Sequence, residues 1–169
     1  GPLRAGKGTL YEGGLRVPTV VSWPGVLPGN RESHVPIAGF DLFPTVVELA
    51  DARDAVPDDH VVDGESLVPL LAEGRPPDRD ALFWHFPAYL AGGGKQGPPF
   101  RTRPASIVRE GWWKLRYNYE SDRSELYNLR RDRGEQNDLA AERPEKRREL
   151  RQRLRTWLDE VDARRPRPK

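Results

Sequence analysis

No cysteine occurs anywhere in the 169 residues, which excludes a disulfide, a thiolate metal site and a thiol nucleophile. No stretch approaches the roughly 18 consecutive apolar residues that a membrane-crossing helix needs. The first residues also lack the basic-then-apolar order of a secretory leader, so the ends give no location. Apolar residues are few, at 36% against 32% charged. With 17 prolines and 16 glycines, the chain suits one loop-rich domain of usual size or a piece of a larger one.

A nucleotide site is nearly spelled and fails at one residue. Gly1 to Lys7 reads Gly-x-x-x-x-Gly-Lys, but Gly8 stands where a phosphate-binding loop needs a Ser or Thr hydroxyl for magnesium. The Gly13-Gly14 and Pro18 that follow do not begin a long helix.

What is present in that region is more specific. The run Gly6-Lys7-Gly8-Thr9-Leu10-Tyr11-Glu12-Gly13-Gly14-Leu15-Arg16-Val17-Pro18 makes poor core and a good site. Val17 to Trp23, β-branched and apolar between prolines, predicts a buried strand. Asp41 to Ala50 has helical spacing, with Asp41 as the expected N-cap and Pro44 in the first turn. Phe40, Phe43, Val46, Val47 and Ala50 then predict one face that docks on a sheet. Asp63-Gly64 is a turn signal, and Ser66 is placed to cap a short helix through Leu71.

Past a linker-like Arg75-Pro76-Pro77-Asp78, four strands are expected at 81–86, 104–109, 112–119 and 124–127. Glu110-Gly111 and Asn118 to Arg123 are the tight connections of an antiparallel meander. Trp84, Trp112, Trp113, Tyr117 and Tyr127 at strand spacing are read as core before any binding platform. From Pro144 a helix is expected, with Leu150, Leu154, Trp157, Leu158 and Val161 on one stripe and Arg147, Arg148, Arg151 and Arg155 largely off it. The charge is uneven. Residues 1–100 hold 8 Lys and Arg against 13 Asp and Glu, and residues 101–169 hold 20 against 13. Glu142, Glu145 and Glu149 interleave with the helix arginines, so the pattern reads as a solvated face and not as a nucleic-acid surface.

The opening run, the later Asp63-Gly64-Glu65-Ser66-Leu67, Gly111-Trp112-Trp113-Lys114-Leu115 and Glu125-Leu126-Tyr127-Asn128-Leu129, and the closing Glu135 to Ala140 together resemble the C-terminal portion of type I sulfatases, the arylsulfatase group of the alkaline-phosphatase-like superfamily. The resemblance implies an α/β fold: the edge of a large mixed sheet with helices, then a small antiparallel β-sheet subdomain packed with a C-terminal α-helix. It divides the chain into 1–76, the end of the catalytic α/β domain, 77–164, the C-terminal subdomain, and 165–169, a disordered tail.

It also implies hydrolysis of sulfate esters by the intact protein, with Lys7 holding a sulfate oxygen as a compact point charge. The family nucleophile is a formylglycine made from Cys or Ser in a Cys/Ser-x-Pro/Ala-x-Arg motif. With no cysteine, and with Ser121 and Ser124 lacking Pro or Ala two places on, that motif is expected upstream of residue 1. So are the Asp pairs that bind Ca2+, since Asp58-Asp59 lies in a loop-like stretch. The chain alone is then expected to be inactive, partnered by the N-terminal catalytic part of the same protein and acting on a small-molecule or saccharide sulfate ester. A periplasmic or secreted location is compatible with the resemblance.

His85, followed by the glycine-rich 91–97, and Lys95 within that loop are further substrate-contact candidates, His85 being read first as a structural residue with both nitrogens bonded. A phosphate or phosphonate ester hydrolase of the same superfamily, or a noncatalytic basic binding or scaffold module, are the alternatives.

Overall fold

The computed structural model describes residues 1–27, 29–92 and 100–166. It contains two compact units: residues 1–18 with 80–169, and residues 19–79.

In the first unit, strands β1 (Ala81–Phe86), β4 (Ala105–Glu110), β5 (Trp113–Asn118) and β6 (Arg123–Asn128) form one antiparallel sheet in the order β1-β4-β5-β6. The short β2 (Leu90–Ala91) and β3 (Phe100–Thr102) pair separately. Glu110 pairs with Trp113 across the β4–β5 turn, so Gly111 and Trp112 are its tip, and Gly111 takes φ +54. That is one residue later than the Glu110-Gly111 expected. Between β5 and β6 the Asn118 side chain accepts hydrogen bonds from the backbone N–H of Glu120 (3.0 Å) and Ser121 (3.3 Å), the local capping that suits Asn to a turn.

Side chains alternate across a strand, and both faces of this sheet are covered. On one face Val108, Leu115 and Leu126 bury against Leu150, Leu154 and Leu158 of helix α4 (Pro144–Glu160), and Phe83 stacks on Trp157 at 4.7 Å. Pro144 begins α4 at a position where its missing N–H has no intrahelical partner to lose. Val161 lies past the helix end and is 51% exposed, so the apolar stripe stops one turn earlier than its spacing predicts. On the other face lie residues 4–15, which include one helical turn, α1 (Glu12–Leu15). There Leu10 packs with Ala105 and Ile107, flanked by Leu15, Trp84 and Phe86.

The second unit contains α2 (Leu42–Leu49) and α3 (Val68–Glu73), with a 3-10 turn over Gly39–Asp41. Its organising group is the buried Asp41 carboxylate. It accepts hydrogen bonds from the Ala38 N–H (2.7 Å), the Glu65 N–H (3.2 Å) and both terminal nitrogens of Arg79 (2.5 Å each). Asp41 therefore ties three segments together and does not cap α2, whose first turn has no side-chain cap. Thr45 bridges the helices: its hydroxyl donates to the Asp41 carbonyl (2.6 Å) and accepts from the Leu67 N–H (2.8 Å). The Ser66 hydroxyl receives the Val68 N–H at 3.2 Å, near the expected cap.

Two expectations for residues 17–50 fail within this chain. Residues 17–23 form no strand, and Val17, Val20 and Trp23 are exposed. The face of α2 expected to dock on a sheet instead leaves Phe43 (48%) and Val46 (63%) open, and Phe40 is likewise exposed. The physical reason is shared: a strand needs a neighbouring ladder, an apolar helix face needs a surface, and no described residue supplies either.

Candidate functional site

Lys7 sits on a loop whose shape is fixed by close backbone contacts. The Thr9 N–H (3.1 Å) and hydroxyl (2.8 Å) both donate to the Gly6 carbonyl, closing a tight turn around Lys7. Gly8 takes φ +83, a backbone conformation that favours glycine, and a Cβ there would also meet the Leu90 side chain, Cδ2 at 2.6 Å. The Gly8 carbonyl accepts the Thr102 hydroxyl, and the Lys7 carbonyl accepts Arg101 Nη1 at 3.3 Å. α1 closes the other side, with the Gly13 N–H on the Arg4 carbonyl at 2.9 Å, and a Cβ on Gly14 would run into the Thr9 carbonyl. The Lys7 side chain is exposed, and its ammonium has no hydrogen bond or ion pair with any described residue. The loop thus presents one cation that has no partner among the described residues.

Below the loop is a layer of charge that periodicity did not reveal. Lys114 on β5 is 1% exposed, and its Nζ lies 3.0 Å from Glu12 Oε1 and 2.8 Å from Glu135 Oε1. The first contact is a hydrogen bond. The second is an ion pair whose angle is not that of a hydrogen bond. Glu135 Oε2 accepts the Glu12 N–H at 2.6 Å. Alongside, Arg4 donates to the Tyr127 hydroxyl and to the Glu135 carbonyl, each at 2.9 Å, and lies over the Tyr11 ring. Tyr11 in turn donates to Glu125 (2.9 Å), which pairs with Arg116.

Burial, with the Glu125 carboxylate adding to it and Arg116 and Arg4 opposing, pushes the Tyr11 hydroxyl up to about 12. It therefore stays a neutral donor. The one signal available in the sequence was Lys114 between Trp113 and Leu115, a charge inside an aromatic strand. Alternation alone does not reveal its burial, because part of the cover is Glu12, 102 positions away.

His85 lies on the opposite, α4-covered face from the Lys7 loop, alternating with Trp84 and Phe86. Its Nε2 contacts the Arg164 carbonyl at 2.9 Å, so Nε2 carries the proton. Nδ1 then accepts from the Ser106 hydroxyl (2.7 Å), which accepts from Tyr119 (2.8 Å). Both ring nitrogens are engaged. Lys95 lies outside the described residues, as do residues 93–99 and 167–169, so the glycine-rich loop and most of the expected tail do too. Among the described residues no cluster of three or more His, Asp or Glu is arranged to hold a metal ion, and Asp58-Asp59 forms none. The described residues do not fit a calcium site. No described helix is long and apolar enough to cross a membrane.

Comparison with known proteins locates this architecture. The family described as N-sulphoglucosamine sulphohydrolase, C-terminal, matches residues 5–164. A sulfatase of Formosa agariphila is 36% identical over 175 residues, covering 96% of this chain and 30% of that protein. Rat steryl-sulfatase is 42% identical over 92 residues, covering 54% of this chain and 16% of its own. Among solved structures, Ps i-CgsB matches with a TM-score of 0.73 at 25% identity, over 92% of this chain and 32% of that one. The same protein is known in complex with k-i-k-neocarrahexaose. Another, solved with its substrate D-glucosamine-2-N,6-O-disulfate, matches with a TM-score of 0.56 at 26% identity, over 75% of this chain and 24% of that one. The chain thus spans less than a third of the curated relatives it matches.

Proposed function

Since the chain belongs to the sulfatase family, matching its C-terminal domain over residues 5–164, we propose that it is the C-terminal portion of an enzyme that hydrolyses sulfate esters, and that Lys7 contacts the sulfate. The observation that carries this reading is the exposed, unpaired ammonium on a loop fixed from several sides. As sulfate transfer proceeds, negative charge builds on the leaving and peripheral oxygens. A cation held in place stabilises that charge without reorganising.

The family generally uses a metal and a formylglycine. In this proposal the formylglycine and the Ca2+ ligands belong to sequence outside these residues, and the chain alone does not turn over substrate. A saccharide sulfate is the favoured substrate class, supported by the saccharides bound in the two similar structures. His85 is assigned a supporting role through its bonds to Ser106 and Arg164, and Lys95 stays a proposed contact.

Kinetics of the intact enzyme provide the test. With 4-nitrophenyl sulfate, Lys7→Ala lowers kcat/KM by ~100-fold or more, the usual scale for removing one donor to a developing oxyanion, and Lys7→Arg restores part of it. An unchanged kcat/KM removes Lys7 from the site. Faster turnover of 4-nitrophenyl phosphate than of the sulfate shifts the activity to phosphate esters.

A further inference from the structure

We propose that the buried triad Lys114, Glu12 and Glu135 positions the Lys7 loop for catalysis, an inference that rests on the reading of Lys7 as a sulfate contact. Packing from the triad to the loop is continuous. Lys114 grips Glu12, Glu12 opens α1, Gly13 and Gly14 of α1 close on the Arg4 and Thr9 carbonyls, and Thr9 closes the turn on Gly6 beside Lys7. The triad therefore reaches the loop through hydrogen bonds and close backbone contacts.

Adhesion alone does not explain the choice of residues. The neighbouring contact of the same segment with the sheet is apolar, through Leu10, Ala105 and Ile107. A buried ion pair generally stabilises no better than apolar residues of like volume, but it demands one register of its partners. Glu135 also holds φ +50, a left-handed conformation costly for a residue with a side chain, and Arg4 fixes it there through the Glu135 carbonyl. Charge burial and backbone strain are thus both concentrated where the loop is anchored. Lys114, Glu12 and Glu135 touch no substrate in this scheme. They act through Lys7.

A double-mutant comparison in the full-length enzyme separates positioning from plain stability. Using 4-nitrophenyl sulfate, Lys114→Met and Glu12→Gln each lower kcat/KM by ~10- to 100-fold, the range expected when a charged group is displaced by about 1 Å. In a Lys7→Ala background the same substitutions change kcat/KM less than about twofold, because the group they position is gone. Their thermal midpoints drop equally in both backgrounds. Glu12→Gln retains side-chain volume and the Glu12 N–H bond to Glu135, so it carries the test if Lys114→Met does not fold. Equal losses of activity in both backgrounds, or full activity in the single variants, overturn the positioning role while leaving Lys7 in place. No loss from Lys7→Ala alone is a different result, and it removes the Lys7 reading together with this one.

Discussion

A lysine that water scarcely reaches sets the terms at the residue scale. Lys114 is buried with two carboxylates, and removing one partner strands the others in a poor solvent for charge. We expect Lys114→Ala to cost about 3–5 kcal/mol in urea unfolding, whereas replacing all three residues by apolar ones of matching volume is close to neutral. Asp41 makes a parallel case in residues 19–79. Burial alone would push its carboxyl up, but hydrogen bonds from Arg79, Ala38 and Glu65 outweigh it and hold the group below its ordinary 3.8. A depressed folded value contributes stability above the unfolded value, and that stability is lost as pH falls through the folded one. Acid titration of the wild type should therefore show loss beginning near the ordinary carboxylate value and continuing below it. Asp41→Asn should be less stable at neutral pH and lack that acid step. An identical acid profile in the variant would assign the step elsewhere. Neither group was legible as a site, because both depend on partners that sequence spacing does not bring together: 102 residues separate Lys114 from Glu12 and 38 separate Arg79 from Asp41.

At the scale of elements, the four sheet strands fell within a residue or two of where alternation and turn signals put them, since each pairs with a strand that this chain supplies. The α4 stripe was legible for the same reason, as its partners Val108, Leu115 and Leu126 lie on that sheet. Leu154→Ala at its centre should cost about 2–5 kcal/mol, measured by denaturant unfolding followed through Trp157. A cost well under 1 kcal/mol would mean that α4 is not held by this stripe. Residues 17–23 and the open face of α2 were misread in the opposite sense. Their composition is apolar as read, but the expected burial is not found, because burial is a relation and no described residue covers them. The charged face of β5 is buried as well, because alternation of apolar and polar residues marks a solvent face only when nothing else lands on it.

For the whole molecule, the exposed Val20, Trp23, Phe43 and Val46 predict behaviour in solution. Where such side chains form a patch, they mark an interface or an aggregation liability. The 169-residue chain should self-associate and bind an apolar reporter dye, and Phe43→Ser with Val46→Ser should reduce both. A monodisperse monomer that ignores the dye would show these side chains to be harmless in water. The other whole-molecule feature is order along the chain. Residues 1–18 belong to the unit completed by residues 80–169, and Arg4 meets Glu135 across 131 positions. A ribosome delivering about 5–20 residues each second exposes the Lys7 segment many seconds before Lys114 and Glu135 exist to hold it. The segment therefore waits, unstructured, for its counterions. A message cut short before the codon for Lys114 yields a product whose Lys7 loop lacks the partners that hold it, which makes translation through Lys114 and Glu135 the step at which a nascent chain becomes distinguishable from a defective one.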